Sequence, residues 1–223
     1  VGAEITQFPT QTARTEGRIT HILGYPDDPE IEPQIIIHKY DLLDRFTSAA
    51  LKEAQNLPPV PSLREFRGRV DLRGIPTFTI DGENARDFDD AVSIEREGDG
   101  GVKLYVSISD VSHYVGEETA LDREAYLRGT SVYFPDRAIP MFPPELSNEI
   151  CCLHPKLDRL TLTAELKYDG NGERREVRFY PSVIRSNERL TYTWVKKILV
   201  DRETELREKF SPLVPSLDLM ADL

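Results

Sequence analysis

Two alternating runs constrain the fold of this chain more than any other feature. In residues 102–111, Val102, Leu104, Val106 and Ile108 fall on one side, and Lys103, Tyr105, Ser107 and Ser109 on the other. That two-residue period belongs to a pleated strand. Leu160, Leu162, Ala164 and Leu166 repeat it, Asp169-Gly170-Asn171-Gly172 follows, and a return run passes through Val177, Phe179 and Val183. Gly and Asn tolerate the backbone angles of a tight hairpin, so these runs predict antiparallel strands. A strand-like run over 70–80 is broken by Gly74 and Pro76. Helical signals interleave. Residues 122–128 read as a short helix stopped by Gly129, Pro143-Pro144-Glu145 opens another with Pro in its first turn, and the pattern is helical from Thr191 onward. Residues 66–223 are therefore expected to be α+β, with a mixed, largely antiparallel sheet and helices.

The first part reads differently. Ile5, Ile19, His21, Leu23 and the triplet Ile35, Ile36, Ile37 suggest short strands within residues 1–38. Gly, Pro and Asp clusters separate them, among them Gly24-Tyr25-Pro26-Asp27-Asp28-Pro29. This is the pattern of part of a small β-barrel. Residues 47–56 read as a short helix. Leu57-Pro58-Pro59-Val60-Pro61 then reads as a stiff polyproline-type linker. The expected division is 1–56, a linker at 57–65, and 66–223. The chain starts at Val1 and ends at Leu223 within an apolar helix-like run, so an excised piece of a longer protein is expected.

No stretch approaches the length of apolar sequence a membrane span needs, and no signal peptide is evident, so no membrane partner is expected. The two cysteines, Cys151 and Cys152, are adjacent. One peptide holds their Cα atoms too close for an unstrained disulfide, which predicts reduced, buried thiols and a cytoplasmic setting. His154 does not complete a zinc spacing. The net charge of −11 argues at first against nucleic acid, yet binding responds to the local field rather than to the sum.

The local field is concentrated. Residues 81–90, Asp-Gly-Glu-Asn-Ala-Arg-Asp-Phe-Asp-Asp, hold five acids and one base, a net −4. Carboxylates this close raise one another's pKa unless a cation neutralises them. A hard cation with oxygen ligands does so. A straight strand would put Asp87 and Asp89 on one face and Asp90 on the other, so convergence requires a loop, which Gly82 and Asn84 permit. Phe88 and the apolar flanks Ile80 and Ala91–Val92 tie that loop to a core. A solvated acidic turn is the plain alternative. An EF-hand fails, because Asp81 as first ligand puts Arg86 where Gly belongs and Val92 where the bidentate Glu belongs. Asp87-Phe88-Asp89 also leaves open a DxD sugar-transferase site. Carboxylates holding Mg²⁺ suit phosphoryl chemistry.

Residues 79–95, TIDGENARDFDDAVSIE, resemble the signature of the ribonuclease II/ribonuclease R family, the RNB domain. Asp71-Leu72-Arg73-Gly74, Ile108-Ser109-Asp110-Val111-Ser112-His113-Tyr114-Val115, Gly129-Thr130-Ser131-Val132-Tyr133-Phe134-Pro135 and Ile139–Ser147 extend the likeness. It covers residues 66–223 as the first half of that domain, and 1–56 resemble the tail of a cold-shock (OB-like) barrel with its following helix. The resemblance implies a processive 3′-to-5′ hydrolase that releases nucleoside 5′-monophosphates from single-stranded RNA with Mg²⁺, or Mn²⁺ as a substitute. It implies that Asp81 and Asp90 bind metal, that Asp89 is essential to catalysis and that Asp87 supports it. Tyr133 would stack on the 3′-terminal base. The family's second clamp aromatic, catalytic glutamate and arginine would lie beyond residue 223, so the 223-residue chain by itself is expected to be inactive.

His113 is a candidate phosphate contact, against a structural role. Arg174, Arg175, Arg178, Arg185 and Arg189 are candidates for backbone phosphates, against a solvated hairpin face. A metal- and RNA-binding module without turnover is the competing class.

Overall fold

The computed structural model describes every residue except Pro26, Asp27, Pro29, Glu30 and Asp99. In chain order the first part contains β1 (Gly2–Gln7), β2 (Glu16–His21), α1 (Ile31–Lys39) and α2 (Ser48–Gln55). The second contains β3 (Val70–Asp71), β4 (Thr77–Asp81), β5 (Asp90–Arg96), β6 (Val102–Ser109), α3 (Val111–Tyr114), α4 (Ala120–Arg128), β7 (Val132–Tyr133) and β8 (Ala138–Ile139). A π-helical turn (Glu145–Ile150) leads to β9 (Asp158–Tyr168), β10 (Arg174–Arg185), β11 (Glu188–Thr191), α5 (Tyr192–Leu199), α6 (Thr204–Lys209) and α7 (Val214–Asp222).

The alternating runs form the centre of a seven-stranded sheet ordered β11-β4-β5-β6-β9-β10-β3. Pairings in the middle are antiparallel, while β11 joins β4 and β3 joins β10 in parallel. The β9–β10 turn is closed by Asp169, whose carboxylate accepts from the Asn171 and Glu173 amides, with Gly172 at φ 78°. α4 begins two residues before the expected start, where the Thr119 hydroxyl accepts from the Asp122 amide, and Gly129 stops it as expected, at φ 70°.

The alternation sorts its faces against the usual hydrophobic rule. Tyr105, Ser107 and Ser109 are buried, while Ile108 on the aliphatic side is exposed. At the centre of the polar face the hydroxyls satisfy one another. Ser107 pairs with Thr163 at 2.7 Å, and Ser182 bridges Thr161 and Thr163 at 2.6 Å each. Buried hydroxyls paired in this way avoid the penalty of unmade hydrogen bonds.

The N-terminal part forms a two-stranded antiparallel ribbon and two helices, without a closed barrel among the described residues. The expected strand at Ile35–Ile37 is instead the middle of α1. Pro33 needs no amide bond in the first turn, Glu32 sits at the helix start, and His38 and Lys39 sit at its end. These end signals override the β-preference of three successive isoleucines. The expected turn at 24–29 lies partly outside the described residues. The predicted helix at 47–56 forms as α2, with the Thr47 hydroxyl accepting from the Ala50 amide. It packs Ala50 and Ala54 into one core with Tyr114, Leu121, Leu146, Leu160 and Val183, so it rides on the main sheet rather than on the ribbon.

Candidate metal and nucleic-acid site

β4 ends at Asp81 and β5 begins at Asp90, with the acidic loop between them. The two strands pair only at Thr77–Ser93 and Phe78–Val92. They part before the aspartates, while on its other edge β4 stays paired with β11 through Leu190 and Thr191. The gap gives the loop its width.

Residues distant in sequence hold the loop. Phe88 is buried, and its amide donates to the Cys152 Sγ at 3.2 Å while its carbonyl accepts from the Leu153 amide at 2.7 Å. The Cys152 thiol faces the Arg86 carbonyl at 3.5 Å, and the His154 ring meets the Phe88 ring edge-on at 5.9 Å. Arg159, only 3% exposed, fixes this cysteine turn by donating to the carbonyls of Cys152 and Glu149 at 2.8 Å each, and to Pro59 at 3.3 Å. From the other side Arg189 lies over the Phe88 ring at 5.1 Å and donates to the carbonyls of Gly82 and Glu83. The Ser109 amide donates to the Asp89 carbonyl at 2.8 Å.

This frame presents the carboxylates. Burial pushes the Asp81 pKa up, and the charges of Asp90 and Asp89 push the same way. Burial, followed by the Asp89 charge, raises Asp90. The Asp81 Oδ2 is buried with no hydrogen-bond partner, the Thr79 hydroxyl lying beside it without a well-aligned bond. Asp87 turns to Tyr133, whose hydroxyl donates to its Oδ2 at 3.4 Å. Tyr133 is 71% exposed on the β7–β8 hairpin. Burial and then the Asp87 charge raise its pKa.

The structure thus brings Asp81, Asp89 and Asp90 within electrostatic reach and sets Tyr133 beside Asp87. It does not converge the four carboxylates fully. Among the described residues, no three His, Cys, Asp or Glu side chains stand close enough to enclose a metal ion. The donor chemistry nonetheless suits a hard cation: all-oxygen ligands, mutual repulsion, and an orphaned buried carboxylate oxygen.

Other candidates lie elsewhere. His113 offers its Nε2 to Glu65 at 2.7 Å, with Nδ1 3.5 Å from Arg69, which itself pairs with Asp110 at 2.6 Å. This network ties the linker to α3. Arg175 pairs with Asp169 and Glu173, Arg178 with Glu165, and Arg185 with Asp158. Arg189 points into the loop rather than at solvent. The loop-holding roles of Cys152 and Arg159 were missed from sequence, since 64 residues separate the Phe88–Cys152 contact and no local pattern marks it. Both cysteines are free and buried, as expected.

Comparison with known proteins identifies the class of this fold: the chain belongs to the RNB-domain family, which it matches over residues 69–223. Residues 1–47 match the cold shock domain family. It is 43% identical over 220 residues to ribonuclease R of Aquifex aeolicus, covering 99% of the chain and 31% of that protein. It is 42% identical over 223 residues to ribonuclease R of Escherichia coli, covering all of the chain and 27% of that protein. The chain therefore spans less than a third of either relative. The apo form of Mycoplasma genitalium RNase R superposes with a TM-score of 0.85 at 27% identity, over 96% of this chain and 34% of that one. The same enzyme in complex with double-stranded RNA gives 0.84 at 28% identity, over 90% and 36%. Yeast Ssd1, described as a pseudonuclease, shares the fold with a TM-score of 0.72 at 20% identity, over 88% of this chain and 25% of that one. The fold alone therefore does not establish turnover.

Proposed function

We propose that the chain is part of a Mg²⁺-dependent exoribonuclease that hydrolyses single-stranded RNA processively from the 3′ end and releases nucleoside 5′-monophosphates. The observation that carries this reading is the exposed Tyr133 ring held against Asp87, at the edge of a partly desolvated aspartate cluster. An aromatic face beside metal-type carboxylates suits a terminal base stacked next to its scissile phosphate. Such stacking is worth about 1–3 kcal/mol per base.

In this reading Asp81 and Asp90 hold the ion, with Mn²⁺ a possible substitute. The ion, when bound, polarises the phosphodiester and lowers the pKa of a water. Asp89 is the essential catalytic carboxylate, its backbone fixed by the Ser109 amide. Asp87 orients Tyr133. A His113 contact to phosphate requires the ring to leave Glu65. The two buried free thiols agree with a cytoplasmic setting, and no helix among the described residues is long and apolar enough to cross a membrane.

The decisive experiment uses the longer protein on 3′-tailed RNA, with and without Mg²⁺, with products sized. Asp89→Asn abolishes mononucleotide release while RNA binding persists; retained turnover refutes the role. The 223-residue chain alone shows little or no digestion. A second reading, a metal- and RNA-binding module without turnover, draws on the open carboxylate set. Unsubstituted longer protein that binds single-stranded RNA yet releases no mononucleotides would establish it.

A further inference from the structure

Arg189 pairs with Thr79, and Thr191 with Asp81, in parallel register across β11 and β4. Alternate residues of a strand share a face, and so do register partners, so Thr79, Asp81, Arg189 and Thr191 project from one side of the sheet. Three polar atoms on that side are buried without a well-aligned hydrogen bond among the described residues: the Thr79 hydroxyl, the Asp81 Oδ2 and the Arg189 Nε. Orphaned atoms of this kind are uncommon in a folded interior and call for a reason. Two of them belong to groups of opposite charge.

The rest of the Arg189 head is committed to the acidic loop. One terminal nitrogen donates to the carbonyls of Gly82 and Glu83, the latter at 3.0 Å. The guanidinium carbon lies 5.1 Å from the centroid of the Phe88 ring. Gly82 and Glu83 directly follow Asp81, and Phe88 stands between Asp87 and Asp89. One planar group thus holds both ends of the segment that carries the carboxylates. Gly82 does not fix that path by itself, because glycine restricts the backbone least of all residues.

The electrostatics run the other way. Burial raises the Asp81 pKa, and the Arg189 charge acts to lower it. A guanidinium near enough to do so also repels a divalent cation placed on Asp81. Kept for its charge alone, Arg189 would weaken a metal site.

We propose that Arg189 is a positioning residue for the metal ligand Asp81: its planar fork fixes the start of the acidic loop, so that the carboxylate needs no further ordering when a divalent cation arrives. This rests on the reading that Asp81 and Asp90 hold the ion. Groups that orient metal ligands are typically worth about 10–100-fold in metal affinity.

Mg²⁺ titrated calorimetrically into the longer protein tests the role, the site counted being the one that Asp81→Asn removes. Arg189→Met deletes the repelling charge and the fork together. Charge alone would make Mg²⁺ bind more tightly; positioning makes it bind about tenfold or more weakly. Arg189→Lys keeps the charge without the planar fork and is weakened as well. In RNA hydrolysis both variants need more Mg²⁺ for the half-maximal rate, with the KM for RNA unchanged. A merely structural arginine would lower the melting temperature and leave the Mg²⁺ affinity of the folded protein where it was. That result overturns the proposal, as does tighter binding by Arg189→Met or unaltered binding by Arg189→Lys. If Arg189→Met departs from the circular dichroism of the unsubstituted protein, Arg189→Lys carries the comparison. Unsubstituted protein without an Asp81-dependent Mg²⁺ site overturns the metal reading itself, and the positioning role with it.

Discussion

Removing the Cys152 thiol should release the acidic loop from beneath. The Sγ accepts the Phe88 amide at 3.2 Å in the interior of the protein. Cys152→Ala leaves that N–H without a partner, which costs about 1–3 kcal/mol. The lost sulfur also leaves a small void, adding about 1 kcal/mol. The total is about 2–4 kcal/mol. Cys152→Ser keeps an acceptor for Phe88 and offers a donor to the Arg86 carbonyl, so only the smaller volume is lost. Urea unfolding followed by circular dichroism gives the stability change. Amide exchange gives its location: the Phe88 amide should exchange faster in the alanine variant and near the native rate in the serine variant. Equal destabilisation by Ala and Ser, or a Phe88 amide unprotected in the unsubstituted protein, refutes the thiol's role.

Three further outcomes follow from the same geometry. Burial and neighbouring carboxylates raise Asp81 and Asp90 above the ordinary value of 3.8. The folded chain therefore binds their protons more tightly than the unfolded chain. That contribution is present at low pH and is lost as pH rises through the raised values. Asp90→Asn should accordingly raise the melting temperature near neutral pH and flatten its decline over that window; a lower melting temperature contradicts the assignment. Mg²⁺ titrated into the unsubstituted chain should raise its melting temperature by stabilising the folded state, and the same titration should do less for Asp81→Asn. Arg159→Leu strands the carbonyls of Cys152, Glu149 and Pro59 and should destabilise the chain by about 3–5 kcal/mol in urea unfolding.

The elements most legible in the sequence are those specified by neighbours along the chain. Gly129 ends α4, Thr47 begins α2, and Asp169 with Gly172 turns the long hairpin, because each signal acts within one turn of backbone. The orientation of the sheet was not legible. Alternation separates Ser107 from Ile108, but only the cross-strand partners Thr163, Thr161 and Ser182 make the hydroxyl side the drier one. The isoleucines of α1 misled for a related reason: β-propensity reports a half-buried pleated surface, and no sheet lies there to receive them. The acidic loop was evident from charge alone, and Tyr133 from its resemblance to a family motif. The supports beneath the loop, Cys152, Arg159 and the inward Arg189, look in sequence like an ordinary thiol and two surface cations.

The parallel pairing of β11 with β4 also bears on how the site comes into being. The Thr77 amide is bonded to the Asn187 side chain, 110 residues later in the chain. At synthesis rates of about 5–20 residues per second, that interval lasts roughly 5–20 s. For that time β4 waits without one of its neighbours, and Asp81 lacks its pairing with Thr191. Pairings of such long sequence separation form slowly even in a completed chain. The carboxylate cluster is thus among the last features to assemble, and an unfinished chain carries its aspartates before it carries the geometry that makes them a site.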